Sequence, residues 1–427
     1  MNYKEMDPCA KSAKNDVYIH SNLRPSYVSL TGMENTNPAP AVVRLGIVGL
    51  GNMGLSHARQ IIAGKASRIT LAAVADSDPV KLSLLPDIKG FESAEAMIKS
   101  GLIDAILIAT PHYAHTTIGI AALEAGLHVL VEKPISVHRA DCERLIAAHK
   151  DQGKTQIFAA MFNQRTDDYY KKIRHLVRSG ELGEIRRMNW IITNWFRTHA
   201  YYASGGWRAT WEGEGGGVLL NQCPHNLDLF QWIFGMPSSV QAHCAFGKYH
   251  DIEVEDDVTA VMHFPNGATG VMITSTGEAP GTNRLEIVGD RGRVVFEDDK
   301  ISYVRNEVPM GEFSRTTTEA FGRPETWQVL IPAAGHGGQH NEVLNNFADA
   351  ILDGTALLAP AAEGIHSVEL ANAMLFSAWT GKAVSLPIDG LAYEQELKKR
   401  IEESALAGRK KKVVTTGVQD FAQSFGR

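Results

Sequence analysis

In the stretch LHVLVEKPIS, residues 127–136, an apolar run passes straight into Glu132, Lys133 and Pro134. Proline removes a backbone donor and steers the residue before it to extended geometry, so the backbone itself fixes Lys133 at the mouth of a strand. A lysine whose only task is solvation needs no such placement, although an edge charge closing a strand would read the same way. A second group with chemistry is Gly49-x-Gly51-x-x-Gly54, which follows an apolar strand and opens a helix. Its first glycine makes a tight turn and its second lets the backbone approach a pyrophosphate. That group then sits at a helix N-terminus, where free N–H groups and the helix dipole favour negative charge. Asp76 lies 22 residues beyond Gly54 at the end of the next strand, the place of an acid that accepts hydrogen bonds from an adenosine ribose. A third group is the segment 194–237. It holds Arg197, Trp207 and Arg208, and further on Asn221 and His225, which are four residues apart. Flat aromatic faces beside guanidinium donors suit a polyhydroxylated ring, with its apolar C–H faces and many hydroxyls.

Regular elements have to hold these groups. From residue 42 to about 152, strands at 42–48, 69–76, 103–111 and 128–134 alternate with helical stretches at 55–64, 91–100, 113–126 and 139–152. This pattern predicts a parallel, doubly wound sheet. Ligands in such sheets bind beyond the carboxyl ends of the strands. "ATPHYAH" and "EKP" end two of these strands, which brings His112 and His115 towards the same crevice as Lys133, although both histidines could equally serve a helix start. After a further strand at "FAAMFNQR" and a helix over 167–180, alternation dominates. "DDVTAVMHFPNGATGVMITST" predicts a hairpin turning at Pro265–Gly267, and "NRLEIVGDRGRVVFED" another turning at Gly289–Gly292. Helices are expected over 340–352, 361–380 and 391–405. The acidic run DIEVEDD, 251–257, reads as acids on alternating strand positions beside a solvated face, so no metal site is expected. Trp190 and Trp211 could face a ligand or a second subunit. Asn221 could cap the helix that follows, and His225 could be a satisfied buried histidine.

Composition bounds the functions. A chain of 427 residues exceeds one ordinary core, so two domains are expected. A net charge of −6 argues against nucleic acid or an anionic membrane surface as a partner. The four cysteines are scattered, without a CxxC pair, which indicates neither a disulfide framework nor zinc and suits a reducing, cytoplasmic compartment. No apolar run approaches a membrane span, and the first 40 residues lack the apolar core of a signal peptide. The expected organisation is an extension over 1–41, a Rossmann NAD-binding domain over 42–160, a substrate-binding and oligomerisation domain over 161–390, and a helix with a polar tail over 391–427. The second domain is expected to be α+β, with a large, mostly antiparallel open sheet.

"GIVGLGNMG", "ATPHYAH", "LVEKPIS", the Gln164–Arg165 pair and "GGGVLLNQCPHNLD" together resemble the glucose–fructose oxidoreductase and inositol dehydrogenase family (Gfo/Idh/MocA), from about Val42 to about Pro387. The long aromatic segment "NWFRTHAYY" is similar to that of pyranose-directed members such as levoglucosan dehydrogenases. The resemblance implies an N-terminal Rossmann domain and a C-terminal domain whose sheet carries substrate on one side and a subunit partner on the other, in a homodimer or homotetramer. It implies NAD as cofactor, with NADP disfavoured by the charge of Asp76. Cofactor contacts are implied at Gly49, Gly51, Asn52, Met53, Gly54 and Asp76 in the first half of the domain. In the second half they are implied at Thr110, Pro111, His112, His115, Glu132, Lys133 and Gln164. It makes Lys133 catalytic, in contact with nicotinamide and substrate, and His225 the general acid/base on the reacting hydroxyl. Asn221 completes the catalytic set, and substrate contacts fall on Lys133, Arg197, Trp207, Arg208, Asn221 and His225.

One departure stands out. The family usually has aspartate four residues before its histidine, where this chain has Asn221. Without that acid, His225 is expected to be more often neutral and Lys133 to lose its proton more easily. Asn221→Asp is expected to raise both pKa values and to leave folding unchanged, since aspartate caps a helix as well as asparagine does. The expected activity is reversible hydride transfer between NAD and a secondary alcohol of a sugar, glycoside or cyclitol. The alternatives are glycoside cleavage through a transient keto sugar, with NAD recycled, and a non-catalytic NAD-binding regulatory role.

Overall fold

The computed structural model describes residues 42–152, 156–333 and 335–407, so the expected extension over 1–41 and the polar tail after 407 lie outside the described residues. Among the described residues, six parallel strands form a first sheet in the order β3-β2-β1-β4-β5-β6. They are β1 (Val43–Val48), β2 (Ile69–Ala75), β3 (Lys89–Phe91), β4 (Ala105–Ile108), β5 (His128–Val131) and β6 (Phe158–Ala160). The connecting helices are α1 (Asn52–Ile62), α2 (Pro79–Leu82), α3 (Ala94–Ile98), α4 (His112–Glu124) and α5 (Arg139–Asp151). β4 is buried at every position and β1 at all but one of its last five, as strands covered on both faces must be. The order reverses between β1 and β4, and this switch point opens the crevice towards which Gly49 and Lys133 converge.

The helix expected over 91–100 is shorter than the sequence suggests, because its first residue closes β3 and the helix begins after Ser93, whose hydroxyl caps Ala96 N. "FAAMFNQR" likewise does not stay extended. β6 ends at Ala160, and residues 163–166 form a 3₁₀ turn before α6 (Asp168–Arg178).

The second sheet has nine strands in the order β14-β13-β12-β11-β7-β10-β9-β8-β15. These are β7 (Ile185–Ile192), β8 (Ser239–Phe246), β9 (Glu255–His263), β10 (Thr269–Ser275), β11 (Asn283–Gly289), β12 (Gly292–Glu297), β13 (Lys300–Asn306), β14 (Thr326–Ile331) and β15 (Val384–Ser385). All pairs are antiparallel except β7 with β10. The two expected hairpins form β9–β10 and β11–β12, the second with Gly289 paired to Gly292. Between and after the strands lie α7 (His199–Ala203), α8 (Pro224–Phe234), α9 (Met310–Thr316), α10 (Gln339–Asp353), α11 (Gly364–Thr380) and α12 (Gly390–Leu406). One face of this sheet packs on α6, α8 and α11 through Tyr170, Ile173, Phe230, Leu370 and Met374, while the strands alternate buried and open positions, as one covered face requires. α10 instead returns to the first sheet, where Val343, Leu344 and Phe347 join the core around Leu45 and Leu55. No helix among the described residues is long and apolar enough to cross a membrane.

The helix that carries His225 is locked by charge as well as by packing. Arg165, from the 3₁₀ turn, makes a two-pronged contact with Asp228 on α8 (2.6 and 2.7 Å), and its third nitrogen reaches Glu363 (2.6 Å) and the Leu358 carbonyl (3.2 Å). Both Arg165 and Asp228 are fully buried, so removing the Asp228 carboxylate leaves the buried guanidinium with the half-exposed Glu363 as its remaining acid. Asp228→Asn is expected to cost about 3–5 kcal/mol of stability, read as a lower midpoint in urea denaturation.

Candidate active site

The glycine turn is shaped by three different constraints. Gly49 has φ +88°, and a Cβ there would stand 2.6 Å from the Ala109 carbonyl oxygen. A Cβ on Gly54 would stand 1.8 Å from the Gly49 carbonyl oxygen, so only glycine lets α1 pass this close to the turn. A Cβ on Gly51 would meet nothing within 4 Å, and it would intrude on the open approach to the first N–H groups of α1. That helix has no side-chain cap and no acid in its first turn, of which Asn52 and Met53 are the first two residues. Asp76 Oδ2 accepts from Leu50 N (2.7 Å) and its Oδ1 from Asp78 N (2.9 Å), which fixes the acid beside the turn, with Lys81 Nζ at 3.3 Å. On the far side of the crevice, Thr110 Oγ1, Gln164 Oε1 and His225 Nδ1 are buried with no hydrogen-bond partner in the protein. Pro111 begins α4 without a side-chain cap. A phosphate-facing turn, a fixed acid and orphaned polar atoms are what a dinucleotide requires, so the residues fit that group.

Lys133 lies at the end of β5, and its Nζ donates to the Asn221 carbonyl (2.9 Å), in the turn that leads into α8. The sequence neighbours of Lys133 behave differently. Glu132 is buried and takes the ring of His57, from α1, on Oε1 (2.7 Å) and the Lys133 N–H on Oε2 (3.2 Å). Burial opposes its ionisation, but the bond and charge of His57 outweigh that and hold the carboxyl down at about 2. His115 spans the carbonyls of Pro134 (2.8 Å) and Thr110 (2.9 Å), tying the ends of β5 and β4 together. Both residues therefore spend their polar atoms inside the protein. His112 meets the Glu214 carbonyl (3.2 Å) and lies edge-on to Trp207, with burial, His115 and Lys133 pushing its pKa down to about 3.

Around Asn221 the structure gathers residues that the sequence had not singled out. The Asn221 amide nitrogen donates to Glu214 Oε1, and Asn221 Oδ1 accepts from the Tyr201 hydroxyl (3.2 Å) and from Gln222 (3.1 Å). Arg208 donates to the same hydroxyl (2.6 Å), and its guanidinium lies between the rings of Tyr201 (4.4 Å) and Trp207 (4.8 Å). Arg197 covers Tyr201 from another side (5.0 Å). Lys133, Asn221, Arg197, Arg208, Trp207 and His112 are thus one connected site, with His225 buried beside Lys133.

Three expectations need correction. Asn221 is no helix cap, because α8 starts at Pro224 after Cys223, and Asn221 sits in the preceding turn. Trp190 and Trp211 face neither ligand nor subunit: both are buried in the core, Trp190 bonded to Asn283 and Trp211 packed on Trp379. The acidic run is no solvated face either, since Glu255 and Asp256 are fully buried. Glu255 Oε1 accepts from Gly217 N (2.8 Å) and Leu219 N (3.0 Å), and Glu253 accepts from Trp211 N (2.6 Å). Asp256 holds the N–H groups of residues 248–250 and the ring of His250, whose other nitrogen reaches the Arg197 carbonyl (2.8 Å). These acids position the site's loops. The hint in the sequence was the density of acids in 251–257.

Burial pushes the Lys133 ammonium below the ordinary lysine value. Arg197 and Arg208 add to this, while Glu132 and Glu214 pull the other way. Burial and then the Lys133 charge hold His225 well below the ordinary histidine range, so its imidazole is neutral. Burial is the leading cause for both groups, and Glu214, next to Asn221, is among the acids that oppose it at Lys133.

A family model described as an oxidoreductase family with an NAD-binding Rossmann fold matches residues 43–160, and the GFO/IDH/MocA C-terminal domain matches residues 170–295, together more than half of the chain. The chain belongs to the Gfo/Idh/MocA oxidoreductase family. Its first domain is an NAD-binding Rossmann domain. The chain is 29% identical over 269 residues to the myo-inositol 2-dehydrogenase of Thermotoga maritima, covering 60% of this chain and 75% of that one. It is 24% identical over 391 residues to the levoglucosan dehydrogenase of Pseudarthrobacter phenanthrenivorans, covering 81% and 98%. The structure of the WlbA dehydrogenase from Bordetella pertussis, in complex with NADH and UDP-GlcNAcA, superposes with a TM-score of 0.69 at 25% identity, over 82% of this chain and all of that one.

In this member of the family, an acid at position 221 would face the Glu214 carboxylate where an amide now donates to it. Two buried carboxylates in contact cannot both ionise freely, so one keeps its proton in the folded state well above its ordinary pKa of about 4. A raised folded-state pKa gives stability that is lost as pH rises. Asn221→Asp is therefore expected to lower the thermal midpoint by several degrees more at pH 8 than at pH 5, contrary to a neutral swap of helix caps. Melting curves at the two pH values check it.

Proposed function

We propose that this protein oxidises a secondary hydroxyl of a sugar or cyclitol, reversibly, with NAD as acceptor. The observation that carries the reading is the contact of Lys133 Nζ with the Asn221 carbonyl, which holds an amine of lowered pKa at the mouth of the NAD domain. NAD, when bound, supplies the hydride acceptor. Lys133, in its unprotonated form, takes the proton from the substrate hydroxyl at Nζ. The neutral His225 offers a ring nitrogen without a partner in the protein, suited to a hydrogen bond with the same hydroxyl. Trp207, 37% exposed, presents a flat face to C–H groups of the ring, and Arg197 and Arg208 direct donors at its hydroxyls. Holding the reacting carbon in register is the larger part of the task. Thr110 and Gln164 are proposed to meet the cofactor with their orphaned oxygens, Gly49–Gly54 its diphosphate and Asp76 its ribose.

The names of the relatives support a polyol substrate, since inositol and levoglucosan are both rings rich in secondary hydroxyls. A negative charge at Asp76 disfavours a 2′-phosphate, although Lys81 beside it softens that preference. The buried thiols of Cys142, Cys223 and Cys244 suit a reducing cytoplasm. Trp327 and Leu330 on β14, at the edge of the second sheet, are exposed and suit a homo-oligomer that buries them.

A panel of sugars and cyclitols incubated with NAD or NADP, followed by absorbance of the reduced nicotinamide, tests the reading. Turnover of at least one polyol with a lower KM for NAD is expected, and silence across the panel with both cofactors would sink it. Lys133→Met is expected to lower kcat by roughly 10²-fold or more, with NAD affinity close to wild type because the diphosphate and ribose contacts lie elsewhere. If Lys133 merely closes a strand, the loss would appear in the melting temperature instead.

A further inference from the structure

Glu214 is the unassigned group most closely tied to the reacting end of the site. It sits in the sequence WEGEGGG, two residues after Glu212, yet Glu212 is exposed and Glu214 is 1% exposed. A carboxylate that deep must be hydrogen-bonded, and it is. Oε1 takes the Asn221 amide, Oε2 takes the Ala209 N–H, and Arg208 Nη1 stands 3.8 Å away. The main chain of Glu214 is fixed too, through the His112 ring on its carbonyl. Asn221 is therefore clamped at both ends. Its amide is set by Glu214, Tyr201 and Gln222, and its carbonyl faces Lys133.

We propose that Glu214 is the positioning acid of this active site: from a loop, through the Asn221 amide, it supplies the negative charge that sets the proton affinity of Lys133 and orients the carbonyl to which Lys133 binds. This rests on the proposed role of Lys133 as the proton acceptor. The charges that face the Lys133 amine are Glu132 from its own strand end, Glu214 and Arg208 from the loop, and Arg197 from the segment before α7, with His112 and His225 neutral beside it. Against Arg197 and Arg208, Glu214 and Glu132 are the opposing acids, and Glu132 is already committed to His57. Those facing Glu214 are Arg208, Lys133 and the buried Glu255, whose own carboxyl is pushed up to about 7 by burial, with backbone N–H groups opposing and Glu214 adding to the rise. Glu214 differs from Glu255 in its partners: its Oε1 meets the Asn221 amide, on the Lys133 side of the loop, whereas Glu255 Oε1 meets the backbone N–H groups of Gly217 and Leu219.

The test uses Glu214→Gln and the exchanged pair Glu214→Gln with Asn221→Asp, which keeps one carboxylate and one amide in contact but reverses their places. Two readouts are taken on the full chain. One is the pH profile of kcat/KM for oxidation. The other needs no turnover: competitive acetylation of Lys133 with acetic anhydride across pH, quantified by peptide mass spectrometry. Removing the carboxylate destabilises the ammonium, so in Glu214→Gln both curves are expected to move to lower pH by about one unit. The exchanged pair is expected to return them to the wild-type position or above it. If acetylation of Lys133 in folded Glu214→Gln follows the wild-type curve, Glu214 does not set its proton affinity and the proposal falls. Should the single variant not fold, an exchanged pair whose acetylation curve lies below wild type overturns it equally. A shifted acetylation curve without any polyol oxidation would retain the role of Glu214 and discard the proposed reaction.

Discussion

An ammonium group withdrawn from water has to be met by oxygen, and the Asn221 carbonyl meets that of Lys133. This bond joins the two halves of the fold at the candidate site, as the His112 ring on the Glu214 carbonyl and the Tyr113 hydroxyl on the Trp211 carbonyl do beside it. Lys133 ends a strand of the parallel sheet, and Asn221 lies in a turn that belongs to the second core. Each side of the bond is held by anchors of its own. β5 is buried from Val129 to Val131 and its end is tied across to β4 by the ring of His115. The turn is held below by Glu255 on two N–H groups, and α8 beyond it by the Arg165–Asp228 pair. Rigid anchoring on both sides lets a single hydrogen bond keep a reactive amine in register, which loops alone could not do.

Electrostatics in the crevice is governed by the same scarcity of water. Two arginines, a lysine and two histidines crowd a buried space, and burial together with mutual repulsion keeps both His112 and His225 neutral. The arginines are met by aromatic faces and hydroxyls: Arg208 lies over the rings of Tyr201 and Trp207 while donating to the Tyr201 hydroxyl. The acids that oppose them at Lys133, Glu132 and Glu214, are buried too, and each accepts N–H groups of the protein. Local order in this region is thus mostly polar, built on a floor of tryptophan packing.

The Rossmann half was legible because its signals are local. Continuous apolar strands, a glycine turn at a fixed spacing and an acid at the next strand end are all set by backbone geometry within about thirty residues. The hairpins at 265–267 and 289–292 could be read for the same reason, from turn residues between alternating runs. What failed depended on distant contacts. Glu212 and Glu214 look alike in the chain, and only a partner at position 221 and the loop's path separate the exposed acid from the buried one. Trp190 and Trp211 turned inward for different reasons: Trp190 lies on β7, where a side chain can face either side of the sheet, and Trp211 lies in a loop whose path carries it against Trp379. The acids of 253–256 read as solvated since their partners, the N–H groups of 211, 217, 219 and 248–250, carry no sequence signature at all.

The loop from Gly205 to Gly217 concentrates several tasks in a short span. Trp207 and Arg208 face the open crevice, Glu214 touches Asn221, and the Glu253 and Glu255 carboxylates hold the loop by its backbone at Trp211 and Gly217. Those holds are on main-chain atoms, while Glu214 on the Ala209 N–H and Trp211 against Trp379 fix the loop from within, which leaves Trp207 and Arg208 as the side chains that can vary without loosening it. The loop is in effect a cartridge: a graft of it into another scaffold would move Trp207, Arg208 and Glu214 as one set. An engineer who wants to change the first two alone would have to divide the loop at Ala209, leaving the acid in place and varying only the residues before it.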